Sequence, residues 1–148
     1  FRKEILGGLR FKVGIYHEDA LFTPQLMLRA RTLSTTKSEA YFYRQHPGTI
    51  MSTRDVIHIQ RRLDDSVIVL KELQQLSRSL IGKERQAIER CIDQQVMVYI
   101  YYIVVLTHSY HDLRHRTSEL RAYGMFPMPL KRYTYKYLIF ALATRLIF

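Results

Sequence analysis

The chain has 148 residues, 47% of them hydrophobic and 24% charged, with a formal net charge of +10. Such a composition excludes a wholly disordered polypeptide, and a single cysteine, Cys91, excludes a disulfide-framed scaffold. The longest uncharged apolar run, Val96–Leu106, has eleven residues, short of the roughly 20 that a membrane-spanning helix needs.

The excess of Lys and Arg favours anionic partners: nucleotide diphosphates, phospholipid surfaces or nucleic acid. No nucleic-acid-binding motif accompanies the charge, so no specific nucleic acid is expected. The lone cysteine suits a reducing compartment, and the expected location is cytoplasmic. Phe1–Leu6 (Phe-Arg-Lys-Glu-Ile-Leu) reads like the interior of a longer protein, and no signal-peptide pattern is seen.

In chain order, Gly7-Gly8 and Gly14 punctuate a loop-rich opening. Asp19–Arg29 carries Leu21, Phe22, Leu26 and Met27 at spacings that predict a helix, with Pro24 tolerated in its first turn. From Thr32 to Tyr43, Thr, Ser and aromatic residues predict extended structure, with Tyr41 and Tyr43 on one face and Phe42 on the other. Pro47-Gly48 predicts a turn. Val56, Ile59, Leu63, Val67, Leu70 and Leu73 recur at helical spacing, and Gly82 marks a break. A second long helix is expected from Lys83, with Ile88, Cys91, Ile92, Gln95, Tyr99, Tyr102 and Leu106 on one side. Its pattern continues to Tyr123, where Gly124 suits a C-terminal cap and Pro127 and Pro129 prevent continuation. A last helix is expected over Lys131–Phe148. The fold class is therefore mainly α with a small α/β portion. The composition shift near Asp55 divides the chain into residues 1–55 and a helical module, 56–148.

Several clusters carry candidate chemistry. Glu18-Asp19 sits at a helix start, where an acidic pair serves either as cap and dipole partner or as a general base. His108, His111 and His115 fall on one helical stripe; the alternatives are a metal site and a solvated helix end. Asp64-Asp65 reads as a solvated helix face. Tyr99, Tyr101 and Tyr102 read as interhelix packing with hydroxyls reaching the edge, and Cys91 as an inert buried thiol. After Glu119 no acidic residue occurs, while Arg121, Lys131, Arg132, Lys136 and Arg145 interleave with apolar and aromatic residues. That pattern suits either an amphipathic helix on an anionic membrane surface through residues 131–148 or a helix packed on its neighbours with a basic outer face.

Taken together, Gly14–Leu28 (Gly-Ile-Tyr-His-Glu-Asp-Ala-Leu-Phe-Thr-Pro-Gln-Leu-Met-Leu) and Tyr41–Met51 (Tyr-Phe-Tyr-Arg-Gln-His-Pro-Gly-Thr-Ile-Met) resemble the acceptor-side part of family 2 glycosyltransferases of the GT-A fold. The likeness is specific over roughly the first third of the chain and looser afterwards, where Leu120–Lys136 resembles the Gly-x-Phe-Pro-containing tail of bacterial members. The resemblance implies that residues 1–55 are the end of a GT-A catalytic domain, that Asp19 is the catalytic base and that Glu18 supports it. It implies a loop that holds the donor diphosphate through Arg44, His46 and Thr49, Thr49 keeping the hydroxyl of the more usual Ser. Arg offers a fork of donors to phosphate oxygens, and a cation there stabilises the leaving charge.

The implied partners are a nucleotide-sugar donor and a glycan or glycolipid acceptor, with a homo-oligomer allowed. A peripheral place on the inner face of the plasma membrane is implied, in cell-surface polysaccharide synthesis. The implied cofactor is a divalent cation, Mg or Mn, held mainly by residues outside this chain, because no Asp-x-Asp pair occurs here. The Gln-x-x-Arg-Trp motif of processive relatives is absent too, which points to addition of a single sugar. The chain alone is expected to be inactive as a transferase. The rival expectation is a non-catalytic helical module that binds a membrane surface or a protein.

Overall fold

The computed structural model describes residues 2–39, 41, 42, 44 and 55–147. A 3-10 turn, Lys3–Ile5, leads to α1 (Glu18–Arg29), α2 (Val56–Arg78), α3 (Gly82–Thr107), α4 (Tyr110–Ala122) and α5 (Tyr135–Ile147). The mainly α expectation holds.

No strand occurs among the described residues, so the α/β portion expected in the first third is not seen there. The described part of 32–44 has no regular structure, and Leu33, Tyr41 and Phe42 are exposed. The physical reason is pairing: β-propensity is realised only where a neighbouring strand supplies ladder partners, and none stands beside this segment among the described residues.

The α2–α3 hairpin is the frame. Asp55 caps α2, its side chain accepting the His58 N–H at 3.3 Å. The short link 79–81 folds α3 back along α2, and the apolar stripes read from the sequence meet: Leu63, Val67, Leu70 and Leu73 of α2 pack with Ile88, Ile92, Val96, Tyr99, Ile100 and Ile103 of α3. Leu73 and Ile103 are wholly buried. Burying each such side chain contributes about 1.5–3 kcal/mol.

The long helix expected over 83–123 is instead two helices. Thr107 Oγ1 donates back to Ile103 C=O and accepts the Ser109 N–H, His108 takes a left-handed conformation (φ 50°), and Ser109 Oγ accepts the Asp112 N–H at 3.1 Å to cap α4. A hydroxyl pair that competes for helix hydrogen bonds thus ends one helix and starts the next. His108 therefore lies off the helix that carries His111 and His115. No group of three or more potential metal ligands occurs among the described residues.

The end of α4 follows the expected pattern. Met125 N–H bonds to Leu120 C=O (2.9 Å) and Gly124 N–H to Arg121 C=O (3.0 Å), with Gly124 at φ 71°. This is a Schellman arrangement whose left-handed residue suits Gly, and Leu120 and Met125 are both buried in the core. The start of α5 is four residues later than expected, because Thr134 Oγ1 accepts the Tyr137 N–H at 3.1 Å and sets the first turn.

Residues before and after Asp55 share one core. Leu21 of α1 belongs to the same cluster as α2 and α3. Tyr16 N–H donates to Asp65 Oδ2 at 2.8 Å, Arg61 donates to Gly14 C=O at 3.1 Å, and Lys12 pairs with Glu72. A satellite cluster of Leu9, Phe22 and Leu26, with Phe11 stacked on Phe22 at 4.0 Å, covers the outer side of α1. Pro24 lies in the second turn of α1 rather than the first, leaving Ala20 C=O without that helix donor.

Candidate functional site

The chain enters α1 through His17, which is left-handed (φ 61°, ψ 31°) and gives the helix no side-chain cap. Histidine adopts that conformation more readily than most residues, yet it remains an uncommon one. The reversal delivers Glu18 and Asp19 into the first turn, where their charge suits the helix dipole. Both are exposed, and Asp19 Oδ1 accepts the Ala20 N–H at 2.9 Å. Neither forms an ion pair among the described residues.

Asp19 lies on the wall of a cleft of about 180 Å³ between α1, α2 and α3. Its polar lining is His17, Ser66, Gln95, Tyr99 and Tyr102, and Val69, Leu70 and Val98 supply an apolar floor. His17 is held below the usual imidazole range, first by burial and then by the positive charge of Arg62, with Asp19 and Asp65 opposing weakly. It is therefore neutral near pH 7.

Behind this cleft lies a polar layer that the sequence reading missed. Arg62 is buried, with its guanidinium carbon 5.9 Å from the Tyr102 ring centre. Asp65 is buried as well and receives the Tyr16 N–H. Arg116 of α4 is buried and donates to Tyr99 Oη (3.2 Å), to Asp64 Oδ1 (2.9 Å) and to Gln60 Oε1. Asp64-Asp65 is thus a correction: Asp65 is a buried acceptor and Asp64 an ion-pair partner, not merely a solvated face. A signal was present. Arg62, Ser66, Val69 and Leu73 follow i, i+4, i+7, i+11, which puts Arg62 on the inward stripe of α2.

The other sequence candidates are dispersed. Arg44 is exposed and is not part of the cleft beside Asp19. His46 and Thr49 lie outside the described residues. Tyr99 is buried with its hydroxyl bonded, Tyr102 is half-buried, and Tyr101 is exposed. Cys91 is half-buried rather than buried, and its partial burial pushes the thiol pKa upward. A larger cleft of about 770 Å³ lies at the far end of α1, between the 3-10 turn and residues 29–34, away from Asp19. No described helix is long and apolar enough to cross a membrane.

The site can present one exposed carboxylate beside a small, mixed polar and aromatic cleft. No family model, curated protein or solved structure matches this chain.

Proposed function

We propose that this chain is the acceptor-side portion of an inverting glycosyltransferase that moves one sugar from a nucleotide-sugar to a hydroxyl of a glycan or glycolipid. The carrying observation is the Asp19 carboxylate, exposed on the first turn of α1 at a cleft lined by Ser66, Gln95 and Tyr102. The resemblance of Gly14–Leu28 and Tyr41–Met51 to family 2 glycosyltransferases supplies the reaction class.

In this reading the acceptor hydroxyl approaches Asp19, which takes its proton as the oxygen attacks the anomeric carbon. The new C–O bond forms while the bond to the diphosphate breaks, and the electron pair leaves with the diphosphate. Tyr102 offers a ring face and Ser66 and Gln95 offer hydrogen bonds to the acceptor. The cleft is smaller than the roughly 300 Å³ of ordinary ligand pockets, so it suits a single ring rather than a whole nucleotide-sugar. Glu18 reinforces the negative potential at the same helix start. Arg44, His46 and Thr49 would hold the donor diphosphate.

The described residues do not fit the implied divalent cation. They contain no group of three potential ligands, Asp64 is paired with Arg116, and Asp65 is buried against Tyr16. Any such ion would be held outside this sequence. The chain alone is expected to turn over no nucleotide-sugar.

The test joins this chain to its donor-binding half and compares it with Asp19→Asn. Transfer should fall by about 10²–10⁴-fold while donor binding is retained. Unchanged transfer would reduce Asp19 to a helix-start charge.

A further inference from the structure

α5 is apolar on two opposite sides, and the fold uses only one of them. Tyr137, Ala141 and Thr144 are buried against the rest of the protein. Tyr135, Ile139, Leu142 and Leu146 are 72%, 62%, 45% and 88% exposed. At about 100° per residue, these four fall within roughly 60° of arc, diametrically opposite the buried three. A surface helix of a water-soluble domain normally turns polar residues outward; this one turns out Tyr, Ile and two Leu.

Within α5 and the segment before it the charge is of one sign, while Asp93 of α3 accepts a hydrogen bond from Tyr133 and also faces Lys131. Lys136 lies on one flank and Arg145 on the other, and the exposed Lys131 and Arg132 precede the helix. Arg145 also donates to Met128 C=O, which fixes its stem beside α5. No acidic residue follows Glu119.

We infer that the outward face of α5 is a docking surface for an anionic lipid bilayer, with Tyr135, Ile139, Leu142 and Leu146 entering the headgroup–acyl boundary and Lys131, Arg132 and Lys136 meeting lipid phosphates. Two observations select this occupant. First, a two-fold interface between copies of the chain sets the same patch against itself, so basic flanks would confront basic flanks. A bilayer of acidic lipids complements them instead. Second, α5 is held along the rest of the protein by the buried Tyr137, Ala141 and Thr144, so its outward stripe can meet a bilayer only side-on. The helix therefore lies along the surface. The long Lys and Arg stems let the charges reach the phosphates while the stripe is buried.

This inference is independent of the glycosyltransferase reading, since it requires neither Asp19 nor a donor. The test is co-sedimentation of the 148-residue chain with vesicles of phosphatidylcholine alone and of phosphatidylcholine with phosphatidylserine. Ile139→Ser/Leu142→Ser and Lys131→Gln/Lys136→Gln are compared with the unmodified chain, with far-UV circular dichroism as the folding control. All four positions are exposed, so the helices should persist. Binding is expected only to the anionic vesicles, falling tenfold or more in either double variant and with added salt. The inference is overturned by no binding to anionic vesicles, by equal binding to both vesicle types, or by full binding of either double variant. A dimer without lipid that Ile139→Ser/Leu142→Ser abolishes would assign the face to a second copy and overturn it as well.

Discussion

Arg116 ties three helices together, and replacing it with Met is the sharpest test of the buried polar layer. Met keeps much of the stem volume, so the change reads mainly the lost hydrogen bonds. Three partners are released, and they are not equivalent. The Asp64 side chain is 65% exposed, so water re-solvates its carboxylate and the lost ion pair costs about 0–1 kcal/mol. Gln60 is half-buried and also reaches water. Tyr99 is 2% exposed, so its hydroxyl is left as a buried orphan at a cost of about 1–3 kcal/mol. The expected loss for Arg116→Met is therefore about 2 kcal/mol, carried mostly by Tyr99. Asp64→Asn should cost less than about 1 kcal/mol.

Because the cost comes from an orphaned hydroxyl, Tyr99→Phe in the Arg116→Met background should restore part of it. A double-mutant cycle should then give a coupling of at least about 1 kcal/mol. The assay is urea denaturation followed by far-UV circular dichroism, since the chain has no Trp. A cost for Arg116→Met below about 0.5 kcal/mol, or additivity with Tyr99→Phe, would refute this account of the layer.

Two other outcomes follow from the local geometry. The folded chain holds the His17 pKa below 6.5, by burial and then by Arg62. Above about pH 6.5 both states are neutral there, while below it the unfolded chain takes up a proton that the fold refuses, so stability falls with pH until the folded pKa is passed. His17→Asn, which tolerates the left-handed backbone, should lose less stability than the unmodified chain between about pH 7.5 and 5.5; identical pH profiles would remove His17 from the explanation. Ser109→Ala deletes the acceptor for the Asp112 N–H and should lower stability by about 1 kcal/mol, read as a lower urea midpoint with an unchanged slope.

Much of this molecule was legible in the residues alone, because helices announce themselves locally. The stripe from Ile59 to Leu73 and its counterpart from Ile88 to Leu106 were visible as periodicity, and these helices bury those faces against each other. Gly124 was legible as a stop because a left-handed residue after a helix favours glycine. Glu18-Asp19 was legible as an acidic helix start, and it is one. The break at Thr107–Ser109 was local too, but hydroxyl hydrogen bonds there compete with a strong apolar pattern that runs straight through.

Tertiary structure decided the rest. Whether 32–43 pairs as a strand depends on a neighbour, not on its own propensity. The burial of Arg62, Asp65 and Arg116 depends on which helix crosses which, and so does the cleft that sets Asp19 beside Ser66, Gln95 and Tyr102. The same holds for α5: its apolar residues could be counted in the sequence, but only packing on one side left Tyr135, Ile139, Leu142 and Leu146 facing outward. Periodicity is a property of one helix, whereas burial is a relation between several, and charge and hydroxyl groups acquire their chemistry from that relation.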